Sequence, residues 1–294
     1  MPMASTRSGL TLAYDTTGSP DDPPLLLVSG LGTQLLSWDE GLCALLADAG
    51  RYVVRFDNRD AGLSTSFDDR PVDVAAVFRA MADGDVATAR SLVPYDLSDM
   101  ALDAVELLDS LGIDRAHVVG ASMGGMIAQT MAIENPGRVR TLTSIMSTTG
   151  EPDYGRSTRE ARQVLLSPAP TDRAAYIEDS VRSLVWHSKR YADPDEVRAL
   201  AARSYDRSFR PAGTARQLAA VTVSGSRADG LRTLDVPTLV IHGLDDTLIG
   251  PSGGERTAEL VPGAVLLLVP DMGHDRPKPL WPELVEAIVA HTSD

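Results

Sequence analysis

The chain has 294 residues, 43% of them hydrophobic and 23% charged, with 41 acidic against 27 basic side chains and a formal net charge of -14. That balance excludes a disordered chain and argues against nucleic acid or an anionic membrane surface as a partner. The length allows two domains or one large α/β unit. The lone Cys43 rules out an intrachain disulfide and a thiolate metal cluster.

No apolar run reaches the ~20 residues needed to cross a bilayer. Residues 1–18 lack the basic and apolar regions of a secretory signal. A reducing, cytoplasmic setting is expected, with Cys43 an inert buried thiol in the apolar stretch 42–46.

In chain order, residues 25–28 (Leu-Leu-Leu-Val) predict a strand buried on both faces, and 52–56, 117–119 and 141–146 predict three more. Residues 97–111 carry apolar side chains at helical spacing with Asp99, Asp103 and Glu106 opposite, and Gly112 as the stop. A second helix is expected at 123–134, ended by Asn135-Pro136, and a third at 280–291. Late strands are expected at 238–241 and 264–269. Strands alternating with helices predict an α/β fold with a mostly parallel sheet.

Residues 149–233 interrupt this alternation. The stretch is polar, with helix starts signalled by Ser157-Thr158-Arg159-Glu160 and by Asp193-Pro194, and Val221-Thr222-Val223 is too short to read as a strand. The expected organisation is therefore a core of residues 1–148 and 234–294 with a helical cap, or lid, of 149–233 over the sheet's carboxyl edge.

Gly120-Ala121-Ser122-Met123-Gly124 follows an apolar strand and opens an apolar helix. In that context Gly-x-Ser-x-Gly is a nucleophile elbow, in which a strained turn lifts the serine hydroxyl above the sheet. A serine hydroxyl needs a base, and histidine suits neutral pH. Of five histidines, His117 lies at the far end of the strand leading to Ser122, His187 in the lid and His291 near the C-terminus. His242, at the carboxyl edge after strand 238–241, begins a turn and reads as structural, and is the reserve candidate for the base. His274, in a glycine-containing loop after the last strand, reaches the carboxyl edge that carries Ser122.

The imidazole needs a carboxylate, and the loop after strand 238–241 offers Asp245 and Asp246 in the chain order Ser, Asp, His. Asp271 and Asp275 flank His274 too closely to orient it and read as solvated loop carboxylates. For the oxyanion, the Met123 amide is one donor, and the loop after the first buried strand supplies a second, most simply Leu31 N–H. Trp38, Met126 and Trp186 are candidate pocket residues, whereas Asp57 and Arg59 read as loop braces.

These motifs resemble the α/β-hydrolase superfamily. The resemblance rests on residues 120–124, on Ile241-His242-Gly243-Leu244-Asp245-Asp246, on Gly273-His274, and on the loop Asp57-Asn58-Arg59-Asp60-Ala61-Gly62-Leu63-Ser64. The loop register of similar enzymes selects Asp246 over Asp245. Many of them carry His-Gly where this chain has Ser29-Gly30, which leaves open which backbone amide completes the hole. The Arg-Asp-x-Gly-x-Ser and Met-Gly-His segments are similar to the aclacinomycin methylesterase type, which acts on polyketide methyl esters.

The resemblance implies a Ser122–His274–Asp246 hydrolase cleaving a carboxylic ester of a medium-sized, fairly apolar molecule through an acyl-enzyme. No metal or organic cofactor is implied, because side chains and backbone supply nucleophile, base and oxyanion hole. The same triad also serves perhydrolase, lactonase and carbon–carbon hydrolase chemistry. A receptor on the same fold is the alternative of another class. Oligomeric state is not legible.

Overall fold

Leu25 and Leu27 pack with Trp38, Leu42, Leu46, Leu284 and Ile288, whereas Leu26 and Val28 pack with Met100, Leu108, Ile127 and Met131. This period-2 division is what a strand covered by helices on both faces requires. The computed structural model describes residues 1–293, and its central strand is this one, β3 (Pro24–Val28). Among the described residues the sheet has eight strands: β1 (Met3–Ser5), β2 (Thr11–Thr17), β3, β4 (Tyr52–Phe56), β5 (Ala116–Ala121), β6 (Val139–Ile145), β7 (Thr238–Gly243) and β8 (Val265–Val269). They lie in the order β1-β2-β4-β3-β5-β6-β7-β8, and every pair from β4 onward is parallel.

Helices α1 (Glu40–Asp48) and α12 (Trp281–His291) cover one face, and α4 (Leu97–Ser110) and α5 (Met123–Glu134) cover the other. Between α1 and α4 come α2 (Val74–Ala82) and α3 (Val86–Ser91). The mostly parallel α/β architecture read from the sequence is the one observed, with its six apolar strands in place.

The antiparallel pair β1 and β2 was not visible in the sequence. Within β2 only Leu12 and Ala13 are buried, so the strand lacks the alternation that marks a half-covered sheet. Helix α1, over the Cys43 stretch, and α2 and α3 were likewise not anticipated.

Between β6 and β7 run α6 (Arg159–Leu165), α7 (Arg173–Ser180), α8 (Pro194–Arg207), α9 (Pro211–Ser224) and α10 (Ala228–Arg232). The Thr158 side chain caps α6 by accepting from Ala161 N. The Asp193 side chain caps α8 by accepting from Asp195 N and Glu196 N, ahead of Pro194. Val221, Thr222 and Val223 lie inside α9, which packs on α2 and α3 around Val77, Ala89, Ala219 and Val223. After β7, α11 (Ser252–Leu260) leads to β8. Among the described residues no helix is long and apolar enough to cross a membrane.

Candidate active site

Ser122 joins β5 to α5 with φ 57° and ψ -122°. That backbone conformation is costly for a residue with a Cβ, on the order of 1–3 kcal/mol, and persists only where the surroundings enforce it. Here the enforcement is close packing. A Cβ on Gly120 would run into the Gly124 carbonyl, and one on Gly124 into the Val28 carbonyl of β3. The strand, the helix and the neighbouring strand are thus closer than any larger residue permits.

The loop after β8 brings His274 to this turn, its Nε2 lying 2.9 Å from Ser122 Oγ. Its Nδ1 lies 2.7 Å from Asp246 Oδ2, in the loop after β7. The other Asp246 oxygen, Oδ1, accepts from the amides of Leu248 and Ile249, both at 2.9 Å. Burial alone would raise the Asp246 pKa. The charge of His274 when protonated, the nearby His242 ring and the hydrogen bond from His274 Nδ1 outweigh it and hold the carboxyl down at about 2. An ionised Asp246 accepts from Nδ1–H, which leaves Nε2 free to accept from the serine hydroxyl.

Asp245, the neighbouring alternative, turns away: it accepts from Lys189 N at 3.1 Å and pairs with Lys189 Nζ at 2.9 Å. Two other histidines are occupied elsewhere. His117 Nδ1 meets Thr141 Oγ1 at 3.0 Å, and His291 Nε2 donates to the Leu142 carbonyl at 3.1 Å.

His242 is fully buried and donates from Nε2 to the Ile249 carbonyl at 2.8 Å, with Asp246 Oδ2 3.5 Å away. It therefore packs behind Asp246, a contact the sequence reading missed. The i,i+4 spacing of His242 and Asp246 was the available signal. His187, between α7 and α8, also approaches the site. Burial, and then the charge of His274, push its pKa down to about 4, so it is neutral at neutral pH.

Met123 N–H opens the first turn of α5, where amides have no acceptor within the helix. The loop after β3 passes directly over the serine: a Cβ built on Gly30 would stand 3.4 Å from Ser122 Cβ and 3.8 Å from its Oγ. Leu31, the expected second donor, is the next residue. Side chains from elsewhere fix this loop. Asn58 Nδ2 donates to the Ser29 carbonyl at 2.9 Å, and Gln217 of α9 accepts from Gly32 N at 2.8 Å. Asp57 accepts from Leu35 N at 2.8 Å and Leu63 N at 2.9 Å and pairs with Arg207 at 2.7 Å. Arg59 makes a buried fork with Asp103 at 2.6 and 2.7 Å. Both residues brace loops, as expected of them.

The pocket candidates separate. Trp38 is fully buried in the core between the sheet, α1 and α12, with the Arg276 guanidinium 4.3 Å above its ring. Met126, one turn into α5, is almost fully buried. Trp186 is half-buried, and its carbonyl accepts from His274 N at 2.6 Å. Asp275 is not the solvated carboxylate its loop position suggested. Its side chain is only 15% exposed and its Oδ1 accepts from the amides of Gly273 at 3.1 Å and Ser188 at 3.0 Å. Asp271, by contrast, stays at the surface and pairs with Arg190 at 3.0 Å.

A serine on a strained turn beside an imidazole, itself beside a buried carboxylate, can lose its proton as it attacks a carbonyl carbon. A profile of the alpha/beta hydrolase fold matches residues 23–275. The chain belongs to that family. Rhodomycin D methylesterase DauP of Streptomyces sp. (strain C5) is 28% identical, the match covering 98% of this chain and 96% of the relative. Rhodomycin D methylesterase DnrP of Streptomyces peucetius is 27% identical over the same shares. Among solved structures, the enol-lactonase from Burkholderia xenovorans LB400 superposes with a TM-score of 0.77 over 100% of both chains at 21% identity. This α/β hydrolase is thus similar in sequence along nearly its full length to two methylesterases and similar in fold to an enol-lactonase.

Proposed function

We propose that this α/β hydrolase cleaves a carboxylic ester by way of an acyl-enzyme on Ser122. As Ser122 Oγ attacks the ester carbonyl, His274 Nε2 takes its proton and then gives it to the departing alkoxide. Water, deprotonated by the same nitrogen, attacks the acyl carbonyl, and the returning proton restores the serine. Asp246 keeps the proton on Nδ1 and stabilises the imidazolium. The amides of Met123 and Leu31 hold the oxyanion. No step calls for a metal or organic cofactor. Residues 149–233 act as the cap, and Met126 and Trp186 wall the acyl site. Trp38, packed in the core, supports the wall from behind.

The observation that carries this reading is the continuous set of contacts Ser122 Oγ–His274 Nε2 at 2.9 Å and His274 Nδ1–Asp246 Oδ2 at 2.7 Å. The similarity to two methylesterases supports a methyl ester of a medium-sized apolar molecule, of polyketide type, as substrate. The protein is to be assayed against methyl and p-nitrophenyl esters, with lactones for comparison, and treated with a fluorophosphonate. Ester turnover with covalent labelling at Ser122, both abolished in Ser122→Ala, is the expected result. Unimpaired ester turnover by Ser122→Ala overturns the mechanism, and a chain that binds esters without turnover or labelling is a receptor.

A further inference from the structure

The backbone of His274 is held from outside the sheet. Its N–H donates to the Trp186 carbonyl at 2.6 Å, and the two neighbouring segments run so close that a Cβ on Gly273 would stand 2.5 Å from Ser188 N and from Trp186 O. Trp186 and Ser188 belong to the segment between α7 and α8, far along the chain.

One side-chain oxygen joins the two segments. Asp275 Oδ1 accepts from Gly273 N at 3.1 Å on the histidine side and from Ser188 N at 3.0 Å on the cap side. Further ties surround it: Thr247 Oγ1 donates to the Val185 carbonyl at 2.9 Å, and Lys189 N and Nζ both reach Asp245. Asp275 itself is too short and too near in sequence to reach the imidazole of His274 as an orienting acid. Its oxygen instead fixes the peptide units on both sides of the contact.

We propose that Asp275 is a positioning residue for His274, locking residues 186–188 of the cap against the histidine loop so that the imidazole stands in line with Ser122. The proposal rests on the reading of His274 as the base. The acceptor matters here and the charge does not, because both amides converge on a single oxygen. Burial pushes the Asp275 carboxyl up from its usual range, the opposite of what a residue needed as an anion would gain. An asparagine carbonyl at this position can accept both amides, whereas alanine accepts neither.

Asp275→Ala is expected to lower kcat by about 10- to 100-fold with KM within about 2-fold, since a displacement of about 1 Å at a reacting group costs on that order. Fluorophosphonate labelling of Ser122 is expected to slow in step. Asp275→Asn is expected to stay within about 3-fold of the wild type in both. Unchanged kcat and labelling in Asp275→Ala, or an Asp275→Asn variant as slow as it, overturns the proposal while leaving the ester-hydrolase reading intact. Full activity of Ser122→Ala overturns that reading instead. Should Asp275→Ala fail to fold, hydrogen exchange of the wild type decides: segments 185–190 and 271–276 are expected to open at one common rate. Free exchange of the first beside a protected second refutes the lock.

Discussion

Asp246 meets His274 through one oxygen, Oδ2, at 2.7 Å, while its other oxygen accepts from the amides of Leu248 and Ile249. The carboxylate therefore cannot rotate to present a different face to the imidazole without abandoning two buried amides. Asp246→Asn disturbs this in one direction. Oδ1 goes on accepting from the amides, so the new NH2 points at Nδ1 and forces the proton to Nε2, the wrong tautomer for accepting from Ser122. A fall of about 10⁴-fold in kcat is expected, from the measured cost of that tautomer error in a triad. Steady-state kinetics with a p-nitrophenyl ester checks it, and a loss under 10-fold contradicts it.

Acid stability carries a second expectation. His187 has its pKa pushed down from 6.5 to about 4 by burial, and then by His274. The unfolded chain therefore binds this proton first, and stability falls as pH drops from about 6.5 to 4, by up to about 3.5 kcal/mol from this group. His187→Gln should flatten that loss in urea denaturation at pH 7 and pH 4.5. Some slope remains from His291, whose pKa burial also lowers. An unchanged slope in the variant would contradict the assignment.

The elbow glycines can be separated from glycines in open space. Gly124→Ala places a methyl against the Val28 carbonyl, and Gly137→Ala meets nothing within 4 Å. The first is expected to destabilise by more than about 2 kcal/mol or to prevent folding. The second should be neutral or stabilising by up to about 1 kcal/mol. Thermal melts of the two variants side by side test this.

Removing one half of the Arg59–Asp103 fork leaves a buried charge without its partner. Both side chains are at most 8% exposed, so Asp103→Ala is expected to cost about 3–5 kcal/mol, far above a surface ion pair. Exposed Arg173–Asp206 serves as the control, with Asp206→Ala expected to leave stability nearly unchanged. Equal losses in the two variants would mean that the fork is solvated in solution.

Much of the architecture was legible because the buried parallel strands are short unbroken apolar runs. Leu25 to Val28 could hardly be anything else. Strand β2, between β1 and β4, was not, since its sequence Thr-Leu-Ala-Tyr-Asp-Thr-Thr buries only two side chains. Ser122 stood out because the elbow's sterics demand glycine on either side, a constraint local enough to leave a mark in five residues. His274 followed by elimination among five histidines. Asp246 over Asp245 came from similar enzymes and not from the chain itself: adjacent aspartates look alike until Lys189 draws one of them away. Asp275 shows the opposite case. Its partner Ser188 lies 87 residues earlier in the chain, and no local pattern distinguishes a loop carboxylate that will meet a distant amide from one that faces water.

The bond from His274 N–H to the Trp186 carbonyl has a practical corollary for protein engineers. Grafting the insert of one relative onto the scaffold of another is an obvious way to exchange substrate preference, yet here the graft would also replace a stretch of main chain on which His274 leans. Chimaeras that carry over residues 186–188 unchanged should retain their turnover number while selectivity shifts. Those that import a foreign sequence there should slow on every substrate alike.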